Sequence, residues 1–196
     1  MNIIQYDLTT GFVTSICYCE NPPESFLENM LVFPNELDAK NPFKYVVNPA
    51  TKEIVEPDSS ARNLFSLFSF ESKTWVLDKS KLTDEISKII NIQRAKQLQE
   101  RIVFEGGLFD SDEAAVTNIH TTLTVCANGL NLPQGFFWRD ANNNNVSMSF
   151  EKLKGLAQAI FERNAQIYAE SWALKDSLAS KTDEELLAIY NDLINK

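Results

Sequence analysis

Ser149-Phe150-Glu151-Lys152-Leu153-Lys154-Gly155-Leu156-Ala157-Gln158-Ala159-Ile160-Phe161, running on through Tyr168 and Trp172 to about Leu178, is the longest helical pattern in the chain. Ser149 is suited to cap it, although Lys152 stands where a capping box prefers an acid. Leu153, Leu156, Ala157, Ile160, Phe161, Ala165, Tyr168, Trp172 and Leu178 recur at helical spacing and predict one broad apolar face. A second helix is expected from about Asp112 to Ala127. Asp110-Ser111-Asp112 caps its start and Asn128-Gly129 stops it. Thr182-Asp183-Glu184-Glu185 opens a last helix, with Leu186, Ile189, Tyr190 and Leu193 inward. A further helix is expected from Asp84 to Arg101, with Thr83 as its cap and an apolar stripe that fades toward its end.

Two short hairpins decorate these helices. Arg101 to Phe109 turns at Gly106-Gly107, since glycines accept the positive φ such turns need. Gly135 to Trp138 returns through Val146-Ser147-Met148 across the loop Asp140 to Asn145. Alternation sends Phe136 and Trp138 to one side and Phe137 to the other.

The first half is β-rich. Asn2–Tyr6 and Phe12–Tyr18 flank the polar turn Asp7 to Gly11. In the second of these strands, alternation places Phe12, Thr14, Ile16 and Tyr18 on one face, and Val13, Ser15, Cys17 and Cys19 on the other. Met30–Phe33 is a further strand. Lys44–Val47 pairs with Glu53–Glu56 across a turn at Asn48-Pro49-Ala50-Thr51. Leu64–Phe70 alternates large apolar residues with small polar ones and returns through Trp75-Val76-Leu77. The fold class is therefore α+β. A small antiparallel domain over residues 1–80 precedes a mainly helical domain over 81–196 with two short hairpins.

The net charge of −9 and pI near 4.7 argue against a general nucleic-acid binder, whose phosphate affinity needs clustered Lys and Arg. Met1 to Tyr6 has no basic leader followed by an apolar run, and Leu64–Phe70 is too short to span a bilayer. A cytosolic setting is expected, with neither membrane nor nucleic acid as partner. The odd cysteine count, Cys17, Cys19 and Cys126, fits a reducing compartment and reads as small semi-buried thiols. His120 and Cys126 lie six apart on a helix, roughly 120° around its axis, so they do not form a nucleophilic pair. The acids at Asp110–Glu113 and Asp183–Glu185 begin helices and lack calcium-loop spacing. No phosphate-loop pattern occurs around Gly106-Gly107. No catalytic residue, metal or cofactor is expected.

Three segments carry a family likeness: Phe104 to Asp112, Trp138 through Ser149, and Trp172-Ala173-Leu174-Lys175. Residues 92–194 resemble a small domain of unknown function found in tailed-bacteriophage tail proteins. In that domain an aromatic-flanked Gly turn, an F-x-(S/T)-D segment, a W-x-D loop and a late W-x-L-K follow in this order. The loop Asn142–Asn145 is longer than the pattern, and Gly-Gly replaces a single Gly. More loosely, residues 1–80 resemble the N-terminal part of tail-fibre assembly proteins, through Tyr6-Asp7 with Gly11, Tyr45–Pro49 before Ile54-Val55, and the strand pair ending in Trp75.

The resemblance implies a non-enzymatic tail protein, a tail-fibre assembly chaperone or a permanent part of the tail or baseplate. Its partner would be a fibre or baseplate protein. It would be located in the host cytoplasm during assembly, or in the virion tail. Candidate partner-binding residues are Phe65, Phe68, Phe70, Trp75, Phe137 and Trp138, because aromatic residues dominate such contacts. On this reading the β-rich half binds, the helices serve as platform, and Phe68→Asp weakens fibre binding.

Overall fold

The computed structural model describes residues 1–195. It is α+β, with a β-rich first part and a helical second part. The chain divides into two compact units, the first Met1–Lys81 and the second beginning at Leu82.

In the first unit β1 (Asn2–Tyr6) lies between β2 (Val13–Tyr18) and β3 (Met30–Phe33), both antiparallel to it. Simple alternation fails in β2. Gln5 pairs with Ser15 but Tyr6 pairs with Val13, so Thr14 is an extra, bulged residue. The bulge resets the pleat and turns Val13 and Ile16 to the same interior. Ile4, Tyr6, Val13, Ile16, Tyr45 and Val47 form that core, with Leu31, Phe33 and Ile54 against it. The buried Tyr6 hydroxyl donates to the Glu28 carbonyl at 3.1 Å and accepts from the Lys52 ammonium. Cys17 is exposed, contrary to the semi-buried expectation, because it falls on the outer side of this sheet. Two further ladders follow: β4 (Val46–Val47) with β5 (Ile54–Val55), and β6 (Ser66–Ser69) with β7 (Thr74–Leu77).

The first helix, α1 (Lys79–Leu98), starts earlier than Thr83. Asp78 is its cap, accepting the Lys81 amide at 2.9 Å, so an acid directly after a strand outcompetes the later threonine. Leu82, Ile86 and Ile90 are buried. Where the apolar stripe fades, polar contacts take over. Gln93 donates to the Leu193 carbonyl, and Arg94 bonds Ser171 and lies over the Tyr168 ring.

β8 (Ile102–Phe104) and β9 (Gly107–Phe109) form the next hairpin. Its two turn residues are Glu105 and Gly106, both at positive φ, one step before the expected Gly106-Gly107. Gly107 is instead the first residue of β9, where a Cβ would meet the Phe109 ring. The helix α2 (Glu113–Ala127) is capped by Asp112, whose carboxylate accepts the Ala115 amide at 2.8 Å. β10 (Phe137–Arg139) pairs with β11 (Asn145–Ser147). The long helix α3 (Phe150–Ser177) is capped by Ser149, and α4 (Asp183–Ile194) opens with a full Thr182–Glu185 capping box.

Leu153, Leu156 and Ile160 of α3 meet Phe109, Ile119 and Met148 in the second core. Phe104 rests on α3 at Gly155, where a Cβ would stand 3.0 Å from its ring. Arg163 ties the parts together. Its guanidinium donates to the carbonyls of Leu98, the last residue of α1, and Glu100 just past it, to Ser111 before α2, and to Asn164. Ser111 is itself buried and donates to the Glu100 carbonyl.

Candidate docking face

The six aromatic residues expected to meet a partner fall into different environments. Phe65 and Phe68 are only 6% and 8% exposed. Phe68 lies opposite Trp75 in the β6–β7 ladder, ring centroids 5.3 Å apart, and Phe70 packs on its edge at 5.1 Å. Trp75 stacks on Phe12 at 5.9 Å and donates through Nε1 to the Asp58 carbonyl. The Arg62 guanidinium covers both Phe12 and Trp75, at 4.6 and 5.3 Å. Phe12, Phe68, Phe70 and Trp75 pack on one another, and Phe65 and Phe68 are buried rather than presented at the surface. Phe68→Asp buries an unpaired carboxylate and tests folding rather than docking. The outer face of this hairpin carries Leu67 and Val76 instead, with Leu64 exposed just ahead of it.

In the second unit the expected alternation is present. Phe136 and Trp138 pack against the core, and Phe137 is 48% exposed. The loop after them is organised by Asp140. Its carboxylate accepts the amides of Asn142 and Asn144 and the Asn144 side chain, at 2.7 to 3.0 Å. The Asn144 side chain and its backbone amide hold the Asp140 carboxyl below the usual carboxylate range. Asn143 takes the positive φ the turn requires.

The long helix departs most from the single broad apolar face expected of it. Phe161 is 72% exposed, Trp172 56% and Tyr168 37%, while Leu153, Leu156 and Ile160 are buried. The two lines are separated by about 100° on the helix, because Phe161 follows Ile160 by one residue. A face spread over so wide an arc exceeds what one packing layer covers. That angular spread was the available signal for an outward ridge. Tyr168 and Trp172 lean on each other at 5.5 Å, and Ala165 continues the line toward Phe161.

Beside Phe161 a shallow hollow of about 210 Å³ opens between α2 and α3, lined by Val116, Ile119, His120, Leu123, Ala157 and Ile160. Cys126 lines a separate hollow of about 460 Å³ with Leu130, Phe136 and Met148, so His120 and Cys126 belong to different places. Among the described residues no group of three or more His, Cys, Asp or Glu side chains is placed to hold a metal ion. No described helix is long and apolar enough to cross a membrane. The buried polar side chains described all have hydrogen-bond partners.

The second unit is thus a small α+β domain whose capped helices hold an aromatic ridge outward. The family model "Domain of unknown function (DUF4376)" matches residues 83–192, more than half of the 196-residue chain, and the chain belongs to that family. Comparisons with the curated proteins and with the solved structures gave no significant match.

Proposed function

We propose that this chain is a non-enzymatic bacteriophage tail protein that assists assembly of the tail fibre by binding it. The reading rests on the resemblance carried by Phe104–Asp112, Trp138–Ser149 and Trp172–Lys175. The observation that carries the binding role is the ridge Phe161, Tyr168 and Trp172, large rings left in water on a helix that has an ample buried face of its own. Patches of this kind mark contact sites in soluble proteins. The binding surface therefore moves from the β-rich unit to the helical one, and Phe137 is a second exposed aromatic there. In this setting the chain acts in the host cytoplasm, on a protein partner.

The test is mass spectrometry of intact purified particles beside the infected-cell lysate. A chaperone is abundant in lysate and missing from particles. A fixed copy number in particles makes the protein a permanent tail or baseplate component and overturns the chaperone role. Absence from both during a productive infection overturns the tail assignment.

A further inference from the structure

We infer that the outward ridge of α3 is one half of a helix–helix seam, and that its occupant is an amphipathic helix of another protein carrying a row of Lys or Arg. The inference stands on geometry and charge and does not depend on the tail-protein reading.

Phe161, Ala165, Tyr168 and Trp172 follow one another at intervals of four, three and four residues. That is the spacing of the contact positions of a two-helix seam, running roughly 16 Å along the helix axis. Its ends are set by charge. Lys154 stands one heptad before Phe161 and is exposed, and Lys175 follows Trp172 and donates to Asn91. The hollow between α2 and α3 adjoins Phe161 and gives an incoming helix a place to seat an aliphatic side chain.

The flanks identify the occupant. Glu162, Ala169 and Asp176 form the row directly beside the seam on one edge, and all three are exposed. Glu162 accepts from Gln158 at 2.8 Å and keeps its charge toward solvent. On the other edge Arg94 is already engaged by Tyr168 and Ser171. A second copy of the chain fits poorly. In an antiparallel copy the acidic row meets itself, and like charges face each other. In a parallel copy it meets Ala157, Asn164 and Ser171, which supply no cation. A helix with a cationic row beside its apolar seam complements both features, and the chain's net charge of −9 adds long-range attraction.

The test uses the full chain and two fluorescein-labelled synthetic helical peptides with the same Leu seam. One carries Lys along the flanking row and the other Glu, and binding is read by fluorescence anisotropy. The Lys peptide is expected to bind and the Glu peptide to bind at least about tenfold more weakly. Trp172→Ala and Phe161→Ala should each cost about tenfold or more for the Lys peptide, the size of a hot-spot loss. The double variant Glu162→Gln, Asp176→Asn should narrow the gap between the peptides severalfold. Val103→Ala, an exposed residue on the β8–β9 hairpin, should change nothing. Circular dichroism checks that each variant is folded. Equal binding of both peptides, no binding of either, or full affinity in folded Trp172→Ala overturns the inference. So does a dimer in sedimentation equilibrium that Trp172→Ala dissolves, which would make the occupant a second copy.

Discussion

Phe68 with Trp75, and Tyr168 with Trp172, are two aromatic pairs of similar spacing with opposite exposure. The first pair is closed. Its ladder register sets the rings face to edge, Phe12 stacks behind, and Arg62 covers the stack. The second pair lies along one helix, with the Arg94 guanidinium over Tyr168, and Trp172 stays 56% exposed. Aromatic content alone therefore does not locate a contact surface. What decides is whether the backbone brings a second layer over the rings, and in α3 that layer buries Leu153, Leu156, Ile160 and Ser171 but not Phe161 or Trp172.

Four measurements would break or sharpen this contrast. The largest effect is expected from Phe68→Ala, which removes a buried ring from a closed stack. It should cost about 3–5 kcal/mol in chemical denaturation. A loss under about 1 kcal/mol would show that the stack is not a packing unit and would dissolve the contrast. Next, Asp112→Ala should cost about 1 kcal/mol, because it strips the cap from α2, the helix that walls the hollow beside Phe161. No change would mean that packing alone fixes α2 there.

Phe161→Ala and Trp172→Ala should each stay within about 0.5 kcal/mol of the parent, as exposed substitutions do. A loss like that of Phe68→Ala would reveal that the ridge is structural and remove it as a contact face.

The smallest effect is a slope. Asp140 has a lowered carboxyl pKa in the folded chain, so its contribution is present above the unfolded value near 4 and fades as pH falls through the folded one. Asp7, Asp38 and Asp58 act in the same direction in the first unit, mainly through hydrogen bonds from Thr10, Asn41 and Ser60, and Glu185 does so in the second through Thr182. Stability should fall on acidification below about pH 4. Asp140→Asn should flatten part of that dependence in a pH series of melting temperatures. An unchanged series would mean that the carboxylate keeps no preference for the folded loop.

Much of the architecture was legible because it rests on local chemistry. Ser149 and Thr182 cap where hydroxyls should, Asn128-Gly129 ends α2, and the strand runs of the first half pair as antiparallel neighbours. The misreadings came from register and from competition between nearby signals. Thr14 bulges out of β2, and no composition rule marks which residue of an alternating run will be the extra one. Asp78 takes the start of α1 from Thr83, since both are good caps and the earlier one is closer to the preceding strand.

The exposed ridge of α3 was least legible. Its residues were visible as apolar, but which arc of α3 is covered depends on where the β8–β9 hairpin and α2 come to rest. Those positions depend on contacts far apart in sequence, such as Arg163 with Glu100 and Phe104 with Gly155.

Arg163 has one more consequence. A single planar cation gathers the end of α1, the approach to α2 and the middle of α3, and the Ser111 hydroxyl, which accepts from Arg163 and donates to Glu100, closes the same junction. The helical unit is thus wired through a shared junction rather than by independent pairwise fastenings. The ridge on α3 consequently stands on a base in which one side chain links three segments distant in sequence.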